Sequence, residues 1–156
     1  MRPLEIVELL NSPTWISMLV KYLLSGAQQV KPTGLDFNLI FICTPFLMNE
    51  DIVEALSHGN KRSNINKIFS NKVLQGQFYQ TKDLIDYYQP FIKKAIILLS
   101  MTEPLNISKE VNLKKPLKNF KEFYDDYTIK HCKAAFNLGA IISKEDPLEI
   151  IIRFGV

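Results

Sequence analysis

The chain has 156 residues, a net charge of +3, 47% hydrophobic and 22% charged residues. This is one domain's length, enough to bury a core without disulfides or metal staples, and the composition is close to ordinary globular values. The charge excess is too small for bulk charge alone to bind a polyanion, so local charge distribution decides.

Ten Phe and six Tyr favour a well-filled core or an adhesive interface. Cys43 and Cys132 lie far apart in apolar surroundings, the pattern of buried thiols in a reducing cytosol. Glu5 and Glu8 interrupt what would be a signal-peptide apolar stretch. The most apolar run, Leu35 to Met48, contains Asp36, Asn38 and Pro45 and is shorter than the roughly 20 residues a bilayer requires. The expectation is a soluble, cytoplasmic chain without membrane contact.

In chain order, Pro3 suits a first helical turn, and Leu4, Ile6, Val7, Leu9 and Leu10 follow on a helical stripe. Asn11-Ser12-Pro13 breaks that helix and starts another, carrying Trp15, Ile16, Leu19, Val20, Leu23 and Leu24. Gly26 and Lys31-Pro32-Thr33-Gly34 are expected to end it. Leu35 to Phe46 fits a buried strand or a buried helix, since periodicity does not separate them. Glu50 to Ser57 looks helical, His58-Gly59-Asn60 is a break, and a polar, basic stretch runs to Gln80. Thr81 is expected to cap a helix with Leu84, Ile85 and Tyr88, which Gln89-Pro90 kinks or ends.

Phe91 to Met101 is strongly apolar. Asn106-Ile107 and Val111-Asn112-Leu113 alternate as a small β-hairpin with Ser108-Lys109-Glu110 near its tip. Helix, helix, hairpin is the order of a winged-helix module. From Asn119 the residues Phe120, Phe123, Tyr124, Tyr127, His131, Ala134, Ala135 and Leu138 repeat at helical spacing, with Gly139 near the end. Asp146-Pro147 opens a last short helix, and Gly155 stops it. The fold class is mainly α: one helical domain over residues 1–156 with a small hairpin, in a winged-helix-like order.

No metal, nucleotide or nucleophile pattern emerges. Two His and two Cys in unrelated contexts lack ligand spacing, and the six glycines are isolated, without a phosphate loop. His131 and Cys132 are neighbours in sequence but point to different helix faces, and Asp125-Asp126 is read as a solvated helix edge. No cofactor and no catalytic activity are expected. Two stretches are basic. Lys61, Arg62, Lys67, Lys72 and Lys82 occur without an acid between Ala55 and Lys82. Lys109, Lys114, Lys115, Lys118 and Lys121 stand against Glu110 alone. They are either a solvated face with contacts to an acidic protein surface or contacts to nucleic-acid phosphates.

Three places together resemble the middle component of bacterial three-component ABC systems, small proteins encoded between an ABC-type ATPase and an effector-like protein. Arg2-Pro3-Leu4-Glu5-Ile6-Val7-Glu8-Leu9-Leu10-Asn11 is similar to the family's Arg-Pro-x-Glu-Ile-Ala-x-Leu-Leu-Asn-Pro opening, with Ser12 inserted before Pro13. Thr44-Pro45-Phe46-Leu47-Met48-Asn49 and Val53-Glu54-Ala55-Leu56-Ser57 are similar to Leu-Pro-Leu-Val-Leu-His and Arg-Glu-Ala-Leu-Pro, with Asn49 where the family often has His. The end, Leu138-Gly139, Asp146-Pro147 and a terminal Gly155-Val156, is also shared.

The resemblance implies an adaptor coupling an ATPase to an effector in a conflict or anti-phage system; separately, exposed aromatics would suit either a homo-oligomer or a heteromer. Partner-contact candidates are Arg2, Glu5, Asn11, Pro45, Glu54, Gly155 and Val156. Against that stand local readings. Arg2 and Glu5 make an i,i+3 pair, Asn11 is a helix stop, Pro45 shapes a turn, and Gly155-Val156 is either a helix stop or a docking tail. The alternative function is a winged-helix DNA-binding protein using stretches 61–82 and 109–121, with Lys109, Lys114, Lys115 and Lys118 as its contacts.

Overall fold

A computed structural model describes residues 2, 3, 5, 8, 11–59, 63–118 and 125–154. Among these, eight α-helices and a three-stranded antiparallel sheet are present: α1 (Pro13–Val30), β1 (Leu35–Asp36), α2 (Phe37–Cys43), a 3-10 turn (Thr44–Met48), α3 (Glu50–Ser57), α4 (Ile65–Phe69), α5 (Lys72–Lys82), α6 (Ile85–Thr102), β2 (Leu105–Ile107), β3 (Glu110–Leu113), α7 (Asp126–Ile142) and α8 (Pro147–Arg153). The mainly α expectation holds. The stripe expected between Leu4 and Leu10, the start of the long helix at Asn119–Tyr124, and Gly155-Val156 fall outside the described residues.

Helix α1 is the axis of the molecule. Pro13 occupies its first position, and Trp15, Ile16, Leu19, Val20, Leu23, Leu24 and Ala27 are all buried. Gly26 does not end it. Instead, Gly26 lies against α7, where an added Cβ would sit 1.9 Å from the Phe136 carbonyl oxygen. Gly139, in the last turn of α7, has the reciprocal position: its Cβ would fall 2.0 Å from the Leu23 carbonyl oxygen. Two glycines facing opposite backbones let the helices approach closer than side chains permit.

The chain leaves α1 through a turn in which the Gly34 amide bonds the Lys31 carbonyl at 2.9 Å. Gly34 has φ +95°, and its missing Cβ leaves room for Val111. The apolar run that periodicity left open resolves into both alternatives. Leu35 and Asp36 pair with Val111 and Glu110, and the rest is helical. Asp36 makes the switch, its carboxylate accepting from the Asn38 amide at 2.9 Å.

The polar stretch before Gln80 forms two short helices, capped by the side chains of Asn64 and Asn71. Thr81 is not a cap. It is buried in the last turn of α5, and its hydroxyl donates to the Gln77 carbonyl at 2.9 Å. Pro90 neither ends nor breaks α6, which runs on to Thr102.

The hairpin stands where expected, β2 pairing with β3 from Leu105–Leu113 to Ile107–Val111. Sheet order is β1-β3-β2. Among the described residues, five α-helices separate β1 from the hairpin, more than the helix–helix–hairpin order supposes. Val111 and Leu113 point into the core, and Glu110 and Asn112 point away from it. Gln28 of α1 docks the sheet in both directions: its amide donates to the Leu113 carbonyl at 2.9 Å, and its carbonyl accepts from the Leu113 amide at 2.8 Å. The Phe46 ring packs against Phe78 at 4.7 Å and Phe154 at 4.9 Å between centroids, fastening α8 to the 3-10 turn and α5.

Replacing Gly139 by Ala tests the helix crossing. Helix propensity alone favours Ala by about 1 kcal/mol. The clash is with backbone that cannot rotate aside, so a net loss of about 2 kcal/mol or more is expected. Urea denaturation followed by the fluorescence of Trp15, the sole tryptophan, measures it.

Candidate partner-binding surfaces

Helix α6 has an open groove on each flank. The first, of about 670 Å³, lies between α2, α6 and α8. Phe37 and Phe41 of α2, one turn apart with centroids at 5.3 Å, form one wall. Asp86, Gln89, Lys93 and Ile97 form the other, as the i, i+3, i+7 and i+11 stripe of α6. Ile97 is 60% exposed at its rim, and Ile151 of α8 closes the end. The second groove, of about 640 Å³, lies between the starts of α1 and α7 and the end of α6. Its walls are Thr14, Trp15, Ser17 and Met18 on one side and Leu98, Leu99 and Thr102 on the other, with the Lys21–Glu103 ion pair across it.

Beside the second groove is a polar cluster inside the core. The Trp15, Tyr127 and His131 rings meet at centroid distances of 5.8, 5.3 and 4.2 Å. His131 is fully buried, and its Nδ1 lies 2.9 Å from the Tyr127 carbonyl oxygen. A carbonyl only accepts, so Nδ1 carries the proton. Among the described residues Nε2 has no hydrogen-bond partner, and it lies 3.5 Å from a Glu50 carboxylate oxygen, which already accepts from the Tyr127 hydroxyl at 3.0 Å. The indole nitrogen of Trp15 is also buried without a partner among the described residues. Burial, then the Glu50 charge, pushes the Tyr127 hydroxyl up to about 12.

Among the residues singled out from sequence, the Glu5 carboxylate accepts from the Arg2 backbone amide at 3.0 Å and from its guanidinium at 2.7 and 2.9 Å, and these bonds, the amide's first, hold the Glu5 carboxyl below its usual range. The Asn11 amide donates to the Tyr87 hydroxyl at 3.3 Å, tying the start of the chain to α6. Pro45 is buried in the 3-10 turn, away from the surface. Glu54 is exposed on α3, its carboxylate 2.7 Å from His58 and paired with Lys130 of α7. Gly155 and Val156 lie outside the described residues.

Asn49 is a cap. Its side-chain oxygen accepts from the Asp51 and Ile52 amides, and its amide donates to Gln77 at 2.9 Å. Asp125 caps α7 through the Thr128 amide at 2.7 Å. That bond holds its carboxyl low and accounts for one member of the Asp125-Asp126 pair. Lys109, Lys114, Lys115 and Lys118 are all exposed. In the other basic stretch, Lys82 lies over the Tyr79 ring, while Lys61 and Arg62 are outside the described residues.

The whole is a mainly α protein whose accessible features are grooves and a charged hairpin, with no membrane-spanning helix among the described residues. The chain belongs to the family described as ABC-three component (ABC-3C) system Middle Component 3, which it matches over residues 2–156. The resemblance carried by the Arg2–Asn11, Leu39–Ser57 and Leu138–Val156 segments is thereby borne out. No curated protein and no solved structure matches the chain.

Both cysteines are buried, and burial raises both thiols, that of Cys132 to about 12. Such a thiol is ionised to only about one part in 10⁴ at pH 8. Neither is expected to react with a thiol reagent in the native state at pH 8. Two equivalents should react in denaturant, and a native-state equivalent would contradict the packing.

Proposed function

We propose that this chain is a non-enzymatic adaptor coupling the ABC-type ATPase of a bacterial three-component system to its effector. It acts in the cytoplasm, in anti-phage defence. Family membership supports the system. Support for coupling comes from one observation: two open, largely apolar grooves flank a single helix, α6. A coupler holds two proteins without competition between them, and separate grooves on one rib meet that requirement. Concave apolar surface with a few polar groups is where partner segments dock.

The described titratable groups also favour binding over chemistry. Arg2 is spent on Glu5, Lys31 on Glu110, Glu54 on His58 and Lys130, and Asp125 on its helix. Asn11, bonded to the exposed Tyr87, sits beside the same rib and extends the contact area at the start of α6.

The test is co-purification of a tagged copy expressed with its two genomic neighbours. Ile97→Asp puts a charge in the first groove, and Thr14→Arg fills the second; both side chains are exposed, so folding is preserved. Each variant is expected to lose one neighbour and keep the other. Elution of the wild-type chain without either neighbour would contradict the proposal, as would retention of both by both variants.

A further inference from the structure

Beyond the adaptor role, we infer that the β2–β3 hairpin and the segment after it bind the sugar–phosphate backbone of duplex nucleic acid, without reading its sequence. From Leu105 to Lys118 there are four lysines and one acid, a net +3 equal to the net charge of the entire chain. The acid, Glu110, is turned back onto Lys31 at 2.7 Å and Thr33 at 3.0 Å. Lys109, Lys114, Lys115 and Lys118 are exposed, and among the described residues none forms an ion pair.

These cations stand on a fixed frame. The Lys109 carbonyl accepts from the Phe37 amide at 2.8 Å, and the Gln28 clamp holds Leu113, next to Lys114. The five residue steps from Lys109 to Lys114 span about 17 Å if extended. That matches about five charges along one strand of a duplex, at about 3.4 Å each.

The chemistry favours phosphate over an acidic protein surface. Lysine is depleted in protein–protein interfaces, whereas interfaces with DNA are strongly positive. Between Leu105 and Lys118 there is no arginine to make bidentate contacts with base edges. The neighbouring polar side chains, Asn106, Ser108 and Asn112, are of the kind that bond phosphate and sugar. The grooves beside α6, by contrast, carry the apolar surface suited to protein partners.

Fluorescence anisotropy of the full chain with a labelled 20-base-pair duplex of arbitrary sequence tests this. Three to four phosphate contacts predict a slope of log K against log salt near −3, hence a loss of about 60-fold or more from 50 to 200 mM salt. Changing the duplex sequence should leave affinity within about twofold. The triple variant Lys114→Glu, Lys115→Glu, Lys118→Glu should lose at least tenfold in affinity at 50 mM salt and retain native Trp15 fluorescence. The Ile97→Asp variant, by contrast, should bind the duplex as the wild type does.

Three results would overturn the inference: no binding by the wild-type chain, duplex binding unchanged in the folded triple variant, or binding insensitive to salt. If the triple variant loses a co-purifying neighbour while its duplex binding is unchanged, the patch serves an acidic protein face instead.

Discussion

The contact on which this molecule depends is the crossing of α1 and α7 at Gly26 and Gly139. Each glycine faces the other helix's backbone at a distance that no Cβ tolerates. Because the helices touch there, α1 is covered on nearly every side and can serve as an axis. The hairpin docks on its end through Gln28, and α6 packs along it. Ser25, one residue before the crossing, takes the Leu117 amide at 3.0 Å and fixes the segment leaving the sheet. The charged hairpin and the grooved rib are therefore held to the same helix.

Beyond the crossing itself, capping side chains set the starts of six helices. Asp36, Asn49, Asn64, Asn71, Asp125 and Asp146 each accept from a backbone amide in the first turn of the helix they start. Asn49 does this while bonding Gln77, so it both starts α3 and ties it to α5. A side chain so engaged is structural. His131 is the less settled element of the core. It is buried with one nitrogen satisfied and the other facing a carboxylate across 3.5 Å.

The parts legible in the sequence were those whose signal is local. The hairpin followed from alternation at Val111 and Leu113, α3 from a short amphipathic run, and α8 from Asp146-Pro147. Where the signal was overridden by packing, the expectation failed. Gly26 reads as a stop in one dimension and is a contact in three. Thr81 reads as a cap and is a buried residue of α5. Helices α4 and α5 escaped notice because they are short and polar, although Asn64 and Asn71 marked their starts. The grooves were not legible, since each joins segments far apart in sequence, as Phe41, Lys93 and Ile151 do. The same is true of Glu50 beside His131.

The central claim is that two partners occupy opposite flanks of α6 at once. Light scattering on an equimolar mixture of the chain, the ATPase and the effector, resolved by size exclusion, tests it most directly. A single species whose mass accounts for all three proteins is the predicted result. Two separate binary complexes that exclude one another would contradict it.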